Sequence, residues 1–249
     1  MDNFKNYAKY YDLLYKDKDY GKECKYIINK INKWGGGDCQ VKTILELGCG
    51  TGKHAKLIQG SGYSIYGIDL SANMIKLAKQ NGVNCEIADI RTYRQSGKFD
   101  CCISLFHIAS YQNSDKDISD YFETASFHLK QGGIFIFDIW YKSAVLHQLP
   151  EKRIKIMEDN DIKVIRYCNP QHLPQQSIVK VNYEIKIIDK KSNSCESISE
   201  THSMRYFSSD EIKNFAQKAG IKILDEEEWF SQNAPSENTW GVCFVGEKI

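Results

Sequence analysis

The chain has 249 residues, 42% hydrophobic and 12% aromatic, which is enough for one sizeable α/β core and little for a second independent domain. Its formal net charge is +1 with both signs mixed throughout, which argues against a basic face for nucleic acid and against a polybasic membrane anchor. The longest apolar run, residues 132–140, is far shorter than a membrane span, and the amino terminus lacks the apolar core of a signal peptide, so the expected location is the cytoplasm.

Nine cysteines make an odd count with no CxxC pair, and several sit in apolar runs, as suits free packing thiols in a reducing compartment. No metal site is expected, because no Cys or His cluster has ligand spacing.

In chain order, residues 4–32 are rich in tyrosine near helical spacing and predict two short helices broken near Gly21, a helical cap over residues 1–40. Residues 34–38 (WGGGD) are a turn into the first strand, 43–47. Gly48-Cys49-Gly50-Thr51-Gly52 follows, then a helix carrying His54, Ala55, Leu57 and Ile58 and a second strand ending at Asp69. Ser71 is placed to cap the next helix and Asn81-Gly82 to end it. A third strand is expected over 83–90, a fourth over 99–106, a helix over 115–129 ended by Gly132-Gly133, and a nearly continuous apolar fifth strand over 134–140. Strands alternating with helices predict a doubly wound, mostly parallel seven-stranded α/β sheet with helices on both faces. From 153 to 206 the helical period vanishes and alternating runs predict an inserted antiparallel β layer, with strand breaks at Asn169-Pro170 and 190–194. A helix opening at Ser208, a sixth strand over 221–226 and a seventh over 240–245 complete a single domain spanning 1–249.

The glycine turn admits three readings. It can be a tight connection without a ligand, or a dinucleotide fingerprint, although G-x-G-x-G fits the G-x-G-x-x-G template poorly. The third reading adds the acids: Glu46 lies two residues before Gly48, Asp69 ends the next strand where a carboxylate can take ribose hydroxyls, and Asp89 ends the following one, where it can accept from an adenine amine.

These positions, with Glu46-Leu47-Gly48-Cys49-Gly50-Thr51-Gly52, resemble the class I, Rossmann-like S-adenosylmethionine-dependent methyltransferases. The resemblance implies that Glu46 and Gly48, Gly50 and Gly52 hold the methionine moiety, that Asp69 binds ribose, and that Asp89 contacts adenine between Met74 and Ile90. Cys49, Leu70 and Leu105 belong to the same expected cofactor-binding set. Within that family the chain is most similar to the small bacterial enzymes that N-methylate nucleotide-linked amino sugars. The matching features are Tyr11-Asp12-Leu13-Leu14-Tyr15 with Lys18-Asp19-Tyr20, Leu105 to Tyr111, Asp138-Ile139-Trp140-Tyr141, the β insertion, and the closing WGVCFVG. By that analogy Tyr11, Tyr15 and Tyr20 close over the cofactor; the same group places a histidine where Tyr111 aligns.

The acceptor should approach over the carboxyl ends of strands four and five, which nominates Phe106, His107, Tyr111, Asp138, Trp140 and Tyr141. His107 is the leading base because imidazole titrates near neutrality, with Tyr111 beside it; a histidine bonded to backbone at a strand end is the competing role. Arg166 and Arg205 could bind a phosphate of a nucleotide-linked acceptor, against a role in surface pairs. The expected activity is methyl transfer to an amino or hydroxyl group of a small polar molecule, with a nucleotide-linked sugar as the leading acceptor. Other small-molecule, protein or RNA acceptors, and a non-catalytic cofactor-binding domain, are the alternatives. No nucleic-acid or membrane partner is expected, and a homodimer is compatible with the sequence.

Overall fold

In the computed structural model, residues 13–36 and 41–249 are described. Tyr11, and with it most of the predicted first helix, lies outside them. Five strands, β1 (Thr43–Leu47), β2 (Ser64–Asp69), β3 (Cys85–Ile87), β4 (Phe99–Ser104) and β5 (Leu129–Tyr141), pair in parallel in the order β3-β2-β1-β4-β5. The last two strands of the chain, β10 (Ile221–Glu228) and β11 (Gly241–Lys248), extend this sheet, with β11 antiparallel to both β5 and β10.

Alternate residues of these strands feed two cores, which is why their sequences are apolar almost throughout. Ile44, Ile103, Ile136 and Val245 face α1 (Tyr20–Trp34), α2 (Lys53–Gly60) and α3 (Ala72–Gln80). Leu45, Leu47, Phe135, Phe137 and Phe244 pack with Tyr121 and Phe122 of α4 (Asp115–His128) and Ile212 of α6 (Ser209–Lys218); a short α5 (Lys142–His147) follows β5.

Several predicted boundaries move. The helical break expected near Gly21 falls just before it: Leu13 and Leu14 are helical, 15–19 are not, and α1 opens at Tyr20, where the Asp19 side chain accepts from the Lys22 N–H at 2.8 Å and leaves Gly21 in the first turn. The third strand is short, so Asp89 falls in the turn beyond it, where its carbonyl accepts from the Thr92 and Tyr93 N–H groups. Gly132 and Gly133 lie inside β5, and a register shift between Phe99 and Cys101 absorbs the irregularity.

Strands β6 (Arg153–Glu158), β7 (Ile162–Leu173), β8 (Ile178–Asp189) and β9 (Cys195–Phe207) form an antiparallel layer, joined to β5 where Trp140 and Tyr141 pair with Tyr206 and Phe207. Asn169-Pro170 is no turn; it continues β7, and the reversal comes at Pro174–Gln176. Proline is tolerated there because β6 ends opposite Cys168, leaving β7 with one hydrogen-bonded neighbour at Pro170. The amino-terminal segment is tied to this layer: Leu14 is fully buried against Met157, Val164, Ile185 and Ile187, and Lys155 Nζ donates to its carbonyl at 2.8 Å.

Candidate active site

The turn after β1 folds back on the end of β2. The Gly48 and Cys49 N–H groups donate to the Ile68 carbonyl at 2.8 and 2.9 Å, and the Gly50 N–H donates to Asp69 Oδ2 at 2.9 Å. Ser71 N–H takes the other oxygen of Asp69 at 2.8 Å. Burial pushes the Asp69 carboxyl up, and these two amides work against it.

The glycines differ in what they do. Gly50 has φ +53° and open space where a Cβ would stand, so the backbone there is bare toward the cavity. Gly52 has φ +75° and a Cβ would stand 2.8 Å from Val83 Cγ2 and 3.1 Å from Ala78 Cβ; its small size lets α2 close on α3.

A cavity of about 1000 Å³, open at its mouth, runs from this turn to the inserted layer. Of the residues expected to meet the cofactor, Tyr15, Tyr20, Gly48, Cys49, Gly50, Asp69, Met74 and Leu105 line it, and of those expected to meet the acceptor, Phe106, His107, Tyr111 and Trp140 do. Lys53, His54, Tyr183, His202 and Met204 also line it, and the sequence reading had nominated none of these. Two of them were within reach of periodicity, since strict alternation along β9 puts Glu200, His202, Met204 and Tyr206 on one face.

The same alternation takes two of the expected residues away from the cavity. Arg205 lies on the opposite face of β9, pairs with Asp115 at 2.8 Å and stacks over Phe207. Tyr141 follows Trp140 on β5 and turns to the other core. Leu70 is 57% exposed, Ile90 packs on the sheet core, and Asp89 is engaged by the Arg91 guanidinium, which holds its carboxyl below the usual range. Arg166 shares the cavity-facing side of β7 but stands behind Tyr183, its guanidinium 4.9 Å from that ring. It lines an adjoining groove with Arg153, and the groove shares Trp140, Val181 and Tyr183 with the cavity.

Glu46 is 1% exposed, and its Oε2 has no hydrogen-bond partner among the described residues. Burial and the neighbouring Asp69 charge push its carboxyl up to about 8. An orphaned acid beside a bare glycine backbone fits the ammonium and carboxylate of a methionine moiety, and the buried Asp69 fits ribose.

Beyond β4, Phe106 and His107 both adopt left-handed backbone, with φ of 67° and 63°. Asp138 holds them there: the His107 N–H donates to both its oxygens at 3.0 and 3.1 Å. The His107 Nδ1 also lies 2.7 Å from Asp138 Oδ2, close enough for an ion pair but not aligned as a hydrogen bond. Tyr111 is engaged differently, its hydroxyl 2.8 Å from His202 Nδ1. The roof is the segment before α1: Tyr15 meets Phe106 edge-on with centroids 5.2 Å apart, and Lys18 lies 3.4 Å above the Phe106 ring while pairing with Glu23. His54 closes that network through Glu23 at 2.6 Å.

Residues 44–133 match a family model described as a methyltransferase domain. Along almost its whole length the chain is similar to a putative methyltransferase of Geobacillus sp. (strain WCH70), with 25% identity covering 98% of this chain and 99% of the relative. It is also similar to the dTDP-3-amino-3,4,6-trideoxy-alpha-D-glucopyranose N,N-dimethyltransferase of Streptomyces venezuelae, with 24% identity over 55% of this chain and 58% of that one. The fold matches that of an S-adenosylmethionine-dependent methyltransferase from Clostridium acetobutylicum with a TM-score of 0.81, at 24% identity over 96% of this chain and 95% of that one. This sheet order, this glycine turn and a cavity suited to the cofactor accompany a methyltransferase domain matched over residues 44–133 and the fold of the S-adenosylmethionine-dependent methyltransferases.

Proposed function

We propose that the enzyme methylates an amino group of a small polar acceptor, best fitted by a nucleotide-linked sugar. The observation that carries this reading is the continuity of the cavity, through Trp140, Val181 and Tyr183, with a groove lined by Arg153 and Arg166. A sugar in the cavity would leave its nucleotide in that groove, where guanidinium groups suit phosphates. The similarity to an amino-sugar N,N-dimethyltransferase points the same way.

S-adenosylmethionine supplies an electrophilic methyl group on a sulfonium sulfur. Glu46 and the Gly48–Gly50 backbone would hold its amino-acid end, Asp69 would take the ribose hydroxyls, and Met74 and Leu105 would pack on the nucleoside. Asp89, paired to Arg91, would reach adenine only through its remaining lone pairs. Tyr15 and Tyr20 would cover the site and exclude water, and Phe106 and Trp140 would orient the acceptor toward the methyl group. His107 and Tyr111 are the groups on that side able to take the acceptor's proton.

Among the described residues no helix is long and apolar enough to cross a membrane, and every described cysteine is a free thiol, which supports a cytoplasmic setting. The test is a mass-shift screen of nucleotide-linked amino sugars, their hydroxyl counterparts and the free amino sugars. Methylation of the linked amines above the other two classes is expected; equal rates with free amino sugars would remove the nucleotide from the reading.

A further inference from the structure

Tyr111 Oη lies 2.8 Å from His202 Nδ1, and His202 Nε2 lies 3.2 Å from Glu200 Oε2. His202 and Glu200 come from the inserted layer, 89 or more residues after Tyr111, and both side chains are almost fully buried. A phenol, an imidazole and a carboxylate in that order form a chain in which each group can take a proton from the one before it and the last stabilises the imidazolium. We infer that Tyr111, His202 and Glu200 are a relay that removes the acceptor's proton, with Tyr111 touching the acceptor and the other two acting through it. The inference rests on the reading of the cavity as a site for an amine acceptor.

The step balances without an external reagent. An acceptor ammonium passes a proton to Tyr111 Oη as the phenol's own proton moves to His202 Nδ1. The lone pair of the neutral amine then forms the N–CH3 bond while the S–CH3 pair stays on sulfur, so the cofactor leaves as a neutral thioether and the product carries the positive charge as a methylammonium. His202 holds the proton as imidazolium, its Nε2–H donating to Glu200. This requires the neutral His202 to carry its hydrogen on Nε2 and to accept at Nδ1.

His107 is less suited. Asp138 engages its backbone N–H with both oxygens, and its Nδ1 contact is not aligned, so the pair holds the left-handed turn in place. Among the described residues, the charged and titratable groups facing Tyr111 include His202, Tyr15, Tyr183, Glu200 and Asp69, with Arg166 stacked on Tyr183.

Two measurements decide the inference. Nitrogen NMR of histidine-labelled protein reads the tautomer without any acceptor; His202 with its hydrogen on Nδ1 would overturn the relay whatever the substrate. Turnover against pH is then compared for the wild type, Tyr111→Phe, His202→Gln and Glu200→Gln, with melting and cofactor affinity confirming that each variant is folded. The expected result is a loss of about a hundredfold in kcat at neutral pH for Tyr111→Phe and His202→Gln, recovering at high pH where the amine is already neutral. Glu200→Gln should lie between them and the wild type. A purely structural role would lower the profile equally at every pH, and that outcome overturns the relay. A wild type with the expected tautomer but no activity on any nucleotide-linked amine overturns the acceptor reading alone.

Discussion

The Gly50 N–H donates to Asp69 Oδ2 at 2.9 Å, so the glycine turn and the acid at the end of β2 are one unit. The bond ties the backbone expected to face the methionine moiety to the carboxylate expected to hold the ribose. Changes to either are therefore felt by both, and the turn's glycines can be separated by what they support.

Gly50→Ala and Gly52→Ala both force a left-handed residue at roughly 1–2 kcal/mol. Only the second also drives a Cβ to within 2.8 Å of Val83. Gly52→Ala should therefore lower the melting temperature more, while Gly50→Ala, whose Cβ would project into open space at the cavity, should lose more cofactor affinity. Thermal melts and calorimetric titration of the two variants check this; equal losses in both assays would contradict the division.

Glu46 gives a pH signature. Its carboxyl rises from 4.5 to about 8 on folding, so its contribution to the stability of the cofactor-free protein is complete below 4.5 and is lost as pH rises through about 8. Glu46→Gln should flatten the melting temperature across that window. An ammonium seated against Glu46 favours its ionised form, so cofactor binding at neutral pH should release a proton. Calorimetry in buffers of different ionisation enthalpy should detect that release in the wild type and not in Glu46→Gln.

The roof is anchored through Leu14. Its truncation to alanine should cost roughly 2–5 kcal/mol of packing against Met157, Val164 and Ile185. The expected readout is faster hydrogen exchange across residues 13–19 together with weaker cofactor binding. Unchanged exchange there would mean the segment is held by other contacts.

The two arginines nominated from sequence should now behave differently. Arg166→Ala is expected to raise KM for a nucleotide-linked acceptor, because Arg166 lines the groove. Arg205→Ala should lower stability and leave KM alone, because its guanidinium spans to Asp115 on the far face of β9. Steady-state kinetics with melting curves separate them.

These contrasts show where sequence reasoning reached and where it stopped. The glycine turn, the strand end at Asp69 and the mostly parallel sheet were legible because each is written in short stretches whose spacing matches backbone geometry. Tyr141 was nominated by its place at the end of strand five and Arg205 by its charge within the insertion, but the period of two along a strand turns each of them to the other face. His202 and Glu200 were missed because their partner lies in another element far back in the chain. Pro170 looked like a turn because nothing local reveals that β6 stops opposite Cys168.

Calorimetric titration of S-adenosylmethionine into the wild type and Asp69→Ala, with NAD as the competing nucleotide, tests the account most directly. The prediction is saturable binding of S-adenosylmethionine, no comparable binding of NAD, and a loss of about 1.5–3 kcal/mol in the variant from the missing charged hydrogen bonds. Wild-type affinity in Asp69→Ala, or preferential binding of NAD, would contradict it.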